Sequence, residues 1–337
     1  MMRRAICPAL LGVLALRATA AHAGPEVGLR AMASEAVESG VRSVGMGGDG
    51  ATTGNYAASY LAAGSATLLV GAARYTDTGD AFSLFAAQLT TPTFWGGATL
   101  SITALSQRTT DARVSDYTPT SKLQPPSLGD GSDQTALAVL AKPLSRTVSV
   151  GVMLSYAQSQ MTLLPLVGTP PIRYETTWLP SGGVGLHWHP SEAWELGARV
   201  TLVDDEETRD DASGLRSGLV REYDARLGAG WSPWRGTRFD AGFVARTQGS
   251  SVDASLRLPS ASFKVFPTAG AEQALVAGRV WARAGLDERT WTTGMSVRAR
   301  PVTVDLAYVY GLALARVDDL FGRHNASLFA SLRFDYR

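Results

Sequence analysis

The last 14 residues, His324–Arg337, alternate between apolar and polar side chains. Ala326, Leu328, Ala330, Leu332, Phe334 and Tyr336 fall on one face; Ser327, Ser331, Arg333 and Asp335 fall on the other. A strand has a period of two, so this segment carries one oily wall and one wet wall. The pattern recurs upstream. Val302, Val304, Leu306, Tyr308 and Tyr310 oppose Thr303 and Asp305, and Trp194, Leu196, Ala198, Val200 and Leu202 oppose Glu195, Arg199 and Thr201.

Fourteen such segments are expected: about 66–75, 79–90, 94–108, 131–142, 146–160, 179–189, 193–204, 217–231, 237–248, 262–275, 278–286, 291–300, 302–311 and 324–336. Many approach the length that crosses a bilayer as a tilted strand, and an even count suits a single-chain barrel. The pattern predicts an all-β transmembrane antiparallel β-barrel of about 14 strands. Region 249–277 alternates least clearly.

Alternate connections are short, at 91–93, 143–145, 190–192, 232–236, 276–277 and Pro301. The other set contains the long ones, 109–130, 161–178, 205–216, 249–261 and 312–323. Short periplasmic turns and longer outer loops are the asymmetry of outer-membrane barrels. Trp95, Trp188, Trp194, Trp231 and Trp234 flank the short turns, while Trp178 and Trp291 lie near the opposite rim. That placement suits two interfacial girdles.

Residues 24–65 do not alternate; Glu26–Val41 has weak helical spacing, and Val44–Gly50 is rich in glycine. No strand precedes these glycines and no Gly-Lys-Ser/Thr follows, which argues against a nucleotide loop. The segment is expected to be a hatch, either a plug in the lumen or a piece against its lower mouth. About fourteen strands otherwise leave a channel. The barrel domain is then 66–337.

The first 23 residues have a charged start, an apolar run and Ala21-His22-Ala23, the features of a secretory signal peptide. Cys7, the sole cysteine, lies in that stretch. Disulfides and a cysteine metal site are thus excluded from the mature chain. No later run of apolar residues is long enough for a transmembrane helix. The formal net charge of +1 shows no basic excess of the kind that nucleic-acid binding requires.

The candidate chemistry lies in the lumen and the loops. Arg199, Glu222, Asp224, Arg226, Arg279, Arg283, Arg298, Asp305, Arg333 and Asp335 are expected to face the lumen as a charge network. They either contact a plug and tune solute entry or satisfy one another. Arginine on the lipid face would cost about 2–4 kcal/mol at the bilayer midplane. In the outer loop 161–178, Leu163, Leu164, Leu166, Val167 and Ile172 among three prolines are a candidate entry site for an apolar ligand, or packing over the rim.

Asp204–Asp211 holds six acids and one arginine and is expected to be a solvated outer loop. Ca²⁺ or Mg²⁺ bridging to lipopolysaccharide is the alternative, although the spacing is not that of an EF-hand. His187 and His189 flank Trp188 beside Pro190, where girdle packing accounts for them. No catalytic constellation, cofactor site or metal site is assigned.

Gly40–Ala51, Thr268–Glu272, Arg283-Ala-Gly285, Thr293–Arg298 and Val304–Tyr308 together resemble the FadL-like long-chain fatty-acid transporter superfamily, with its PorV-like relatives. The resemblance implies a fourteen-stranded outer-membrane barrel with an N-terminal hatch. Such barrels carry hydrophobic compounds inward or partner secretion machinery. An Asn-Pro-Ala-Gly-like element of that family is replaced here by Asn55-Tyr-Ala-Ala.

The expected function is passive passage of small hydrophobic compounds across a Gram-negative outer membrane, among lipid and lipopolysaccharide. The alternative is a plugged barrel serving as a structural or partner-binding component of a surface or secretion assembly.

Overall fold

The computed structural model describes residues 40–48, 52, 54–75, 81–95, 97–114, 127–165, 172–178, 181–211, 214–248, 250–251, 262–276, 278–287, 290–311 and 325–336. Sixteen hydrogen-bonded segments form one sheet. Two pairs of segments are collinear. Ile172–Trp178 and Ser181–Ser191 both lie between Val148–Pro165 and Trp194–Asp211. Thr237–Gln248 and Ser250–Ser251 both pair with Gly214–Trp234.

Fourteen strands result. They are β1 Ser65–Tyr75, β2 Ala81–Pro92, β3 Thr99–Val114, β4 Ser127–Pro143 and β5 Val148–Pro165. β6 comprises Ile172–Trp178 with Ser181–Ser191; β7 is Trp194–Asp211, β8 is Gly214–Trp234, and β9 comprises Thr237–Gln248 with Ser250–Ser251. β10 Ser262–Val276, β11 Val280–Asp287, β12 Thr290–Ala299, β13 Val302–Gly311 and β14 Asn325–Asp335 complete the ring. β1 pairs with β14 from Ser65↔Asp335 to Tyr75↔Asn325, so the sheet closes on itself. Closure pairs the two edge ladders, which lipid cannot hydrate.

Burial follows the alternation with the polarity of a membrane barrel. On β13, Val304, Leu306 and Tyr308 are exposed, whereas Thr303, Asp305, Ala307 and Val309 are buried. On β5 and β6, Val152, Leu154, Tyr156, Val184 and Leu186 point outward in the same manner. An outer face of exposed apolar side chains over a polar interior is a lipid-contacting surface. The fold is a closed β-barrel with a lipid-facing outer surface. Trp194 stacks on Trp231 with ring centroids 6.0 Å apart, and Trp231 meets Phe239 at 6.0 Å, forming part of the girdle beside the short turns.

Several strands run further outward than the pattern predicts. The acidic run Asp204–Asp211 is not a loop; it is the outer end of β7, paired on both sides from Asp205 to Asp210. There Asp210 stands opposite Arg173 and Asp204 opposite Arg221. No apolar period marks a strand beyond the lipid belt. The predicted loop 161–178 is likewise strand up to Pro165 and again from Ile172. β6 also shifts register: Gln158↔Thr177 and Ser155↔Ser181 leave one more residue on β6 than on β5.

Candidate hatch and lumen site

The chain enters the described region at Gly40, whose φ of 85° places it in the left-handed region, and forms the short helix α1, Val41–Gly45. Val41, Val44 and Met46 are buried, and α1 lies against β11, β12, β13 and β14. Backbone meets wall here because both surfaces lack side chains. A Cβ on Gly45 would stand 3.3 Å from the Gly294 Cα, and one on Gly47 would stand 2.7 Å from the carbonyl oxygens of Ala269 and Leu286. Gly270 and Gly285 face Met46 and Gly47 in the same way.

Charge ties this end down. Arg42 donates to both Glu272 carboxylate oxygens, at 3.0 and 2.7 Å. Arg283 donates to the same carboxylate at 2.5 Å, to Asp305 at 3.3 Å and to the Ser296 hydroxyl at 2.5 Å. Ser296 also bonds Asp305. Thr292 donates to the Gly45 carbonyl at 3.2 Å.

The middle of the segment is held by a second set. Arg226, buried and paired with Asp224 at 2.8 Å, donates to the Gly48 carbonyl at 2.9 Å. Thr52 donates to Asp240 at 2.8 Å. Asp240 pairs with Arg238 at 2.8 Å, Arg238 with Glu195 at 2.8 Å, and Glu195 faces buried His187 at 3.6 Å.

At the far end Asn55 caps a 3-10 helix, Tyr56–Ala62, by accepting from the Ala57 amide at 2.9 Å. Its amide nitrogen donates to the carbonyls of Leu186 and Ala198 at 2.9 and 3.0 Å, where Gly185 leaves room for it. The Tyr56 hydroxyl shares a 2.8 Å hydrogen bond with Thr201, and the Arg199 guanidinium stands 5.2 Å from its ring centre. Tyr56 packs with Leu137, Val139 and Met153. Burial pushes the Tyr60 phenol up, against the opposing effect of a Ser149 hydrogen bond, so it stays neutral.

The 3-10 helix lies against β2 to β6, while α1 lies against β11 to β14. These are opposite sides of a fourteen-strand ring, so residues 40–64 cross the lumen. They descend from mid-height on one wall to the short-turn mouth on the other.

The predicted lumen residues divide into separate groups. Arg199 and Arg226 contact the hatch, and Arg283 and Asp305 support Glu272. Arg298 and Arg333 share Asp335 at 3.5 and 3.1 Å near the short turns. Arg279 is a correction: it is exposed in the turn between β10 and β11 rather than in the lumen, because β11 begins only at Val280. Glu222 lies on β8 with its side chain outside the described residues.

Leu163 and Leu164 lie on β5 and Ile172 opens β6, whereas Leu166 and Val167 fall outside the described residues, as do residues 1–39. The site residues that alternation did not single out are Arg42, Asn55, Tyr56, Glu195, Arg238, Asp240 and Glu272. For the strand residues among them the inward parity was available; for the hatch residues no periodic signal exists. Among the described residues no three His, Cys, Asp or Glu side chains gather as a metal site.

No protein-family model and no curated protein matches this chain. Solved structures do. A FadL homologue from Pseudomonas aeruginosa superposes with a TM-score of 0.57 at 12% identity, over 88% of this chain and 98% of that one. The Pseudomonas putida toluene transporter TodX gives 0.54 at 11% identity, over 88% and 97%. The chain has the FadL-like barrel fold. CymD, a monoaromatic hydrocarbon channel, gives 0.50 at 13% identity over 87% of this chain and 95% of its own.

Proposed function

We propose that this FadL-like barrel passes small hydrophobic compounds passively across the outer membrane, with residues 40–64 as the hatch. One observation carries the reading: the inner wall is not uniformly polar. Phe329 and Leu84 are buried on either side of Gly71, where a Cβ would stand 2.7 Å from the Phe329 ring, and Leu69 lies one step below. Val244 and Phe266, paired across β9 and β10, give a second inward apolar patch. A purely aqueous channel has no use for such positions, whereas a greasy solute gains from each apolar contact. The hatch, joined to the wall by the chain at Ser65, is seated in the lumen by polar contacts and backbone fit. The likeness to TodX and CymD supports the same class of cargo.

The apolar residues Leu163, Leu164, Leu166, Val167 and Ile172, at or beyond the outer ends of β5 and β6, are the proposed first contact for such a solute. The test is vesicle uptake of toluene and of glucose by the full barrel and by a variant lacking residues 40–50. Heat-modifiable gel mobility verifies folding. The expected result is toluene uptake by the full barrel and, in the deletion, faster uptake that extends to glucose. No toluene flux through either folded protein overturns the proposal in favour of a plugged anchor.

A further inference from the structure

We propose that the short-turn rim of the barrel binds anionic phospholipid headgroups of the periplasmic leaflet. Among the described residues, the exposed charged side chains at this rim are Lys142, Arg146, Arg235, Arg279 and Arg300, against the single acid Glu192. None of the five bases is ion-paired among the described residues. Arg235, Arg279 and Arg300 occupy three consecutive turns, β8–β9, β10–β11 and β12–β13. Adjacent turns are two strands apart, so the arc repeats at about 10 Å, close to the spacing of packed headgroups. The lumen network leaves these residues unused.

Apolar anchors stand level with the bases. Trp234 precedes Arg235 and is 60% exposed, and Leu144 lies between Lys142 and Arg146 at 61%. In the neighbouring turn Phe94 is 86% exposed, with its ring 4.6 Å from that of Trp95. That turn approaches the next one, since a Cβ on Gly97 would stand 3.8 Å from Pro143. Lys142 itself falls on the outward side of β4, with Leu140, while Val139 and Ala141 are buried.

Aromatic and leucine tips settle at the level where acyl chains meet headgroups. Guanidinium and ammonium groups at the same level then reach phosphate oxygens, for which arginine's planar fork is well shaped. Neutral zwitterionic headgroups present the same phosphate with a competing cation. The rim therefore favours lipids with net negative charge, and its basic side chains gain from the negative surface potential that such lipids create.

The experiment places the full-length barrel in phosphatidylcholine vesicles doped with brominated phosphatidylglycerol or brominated phosphatidylcholine and reads tryptophan quenching. Wild type is expected to favour phosphatidylglycerol by at least about threefold at low salt, and to lose the preference as salt screens the charges. Replacing the five bases by Gln should bring the ratio close to one, with heat-modifiable mobility unchanged. Equal quenching by the two lipids in the wild-type protein, which needs no variant, overturns the proposal. So does a preference that survives the five substitutions or high salt.

Discussion

Glu272 shows how one side chain joins hatch to wall. Its carboxylate accepts from Arg42 of the hatch and from Arg283 of β11, and its side chain is only 9% exposed. Removing its charge takes a partner from buried Arg283, which retains Asp305, and from Arg42, whose side chain is 44% exposed and turns to water. A part-exposed pair across such a contact is worth on the order of 1 kcal/mol, about fivefold in an opening equilibrium. Glu272→Gln is therefore expected to raise amide hydrogen exchange at residues 41–48 about fivefold, with heat-modifiable mobility of the barrel unchanged. Unaltered exchange would remove Glu272 from the latch. The same residue shows what sequence conveys at this scale. Its inward position follows from alternation, but its partner Arg42 lies 230 residues away, in a segment with no period. Asn55 illustrates a second limit: an asparagine at the start of a helix announces a cap, but not that its amide reaches two strand carbonyls across the lumen.

At the level of elements, alternation is a reliable guide where lipid enforces it. β12, β13 and β14 were legible nearly to their ends, since each turns every second side chain to hydrocarbon. Beyond the belt both faces of a strand meet water, the period vanishes, and charge reads as loop. That is why Asp204–Asp211 on β7 and the outer end of β5 were placed in loops. The lipid belt also makes a graded prediction. Leu306 faces outward in mid-strand on β13, while Ala299 faces outward at the short-turn end of β12. Leu306→Arg is expected to cost about 2–4 kcal/mol and Ala299→Arg about 1 kcal/mol or less. Reversible urea unfolding in lipid measures both. Equal costs at the two sites would mean that the outer face does not sense bilayer depth.

Over the whole molecule, the fold couples a rigid ring to a segment held mainly by side chains and by glycine-to-backbone contact. The ring's seam between β1 and β14 is a full antiparallel ladder from Ser65 to Tyr75, whereas the described residues of the hatch form no strand pairing with the wall. The FadL-like architecture was foreshadowed by the glycine-rich Gly40–Ala51 and by the strand count, while the path of the hatch from one wall to the other required coordinates. The central claim is that passage requires this segment to leave its seat. Thr52 and Asp240, hydrogen-bonded at 2.8 Å, offer a lock, because Cys7 is the sole native cysteine and lies in the expected signal peptide. With both replaced by cysteine, toluene uptake into vesicles should fall at least about tenfold on oxidation and recover on reduction. Equal uptake by the verified cross-linked form and the reduced form would contradict the account.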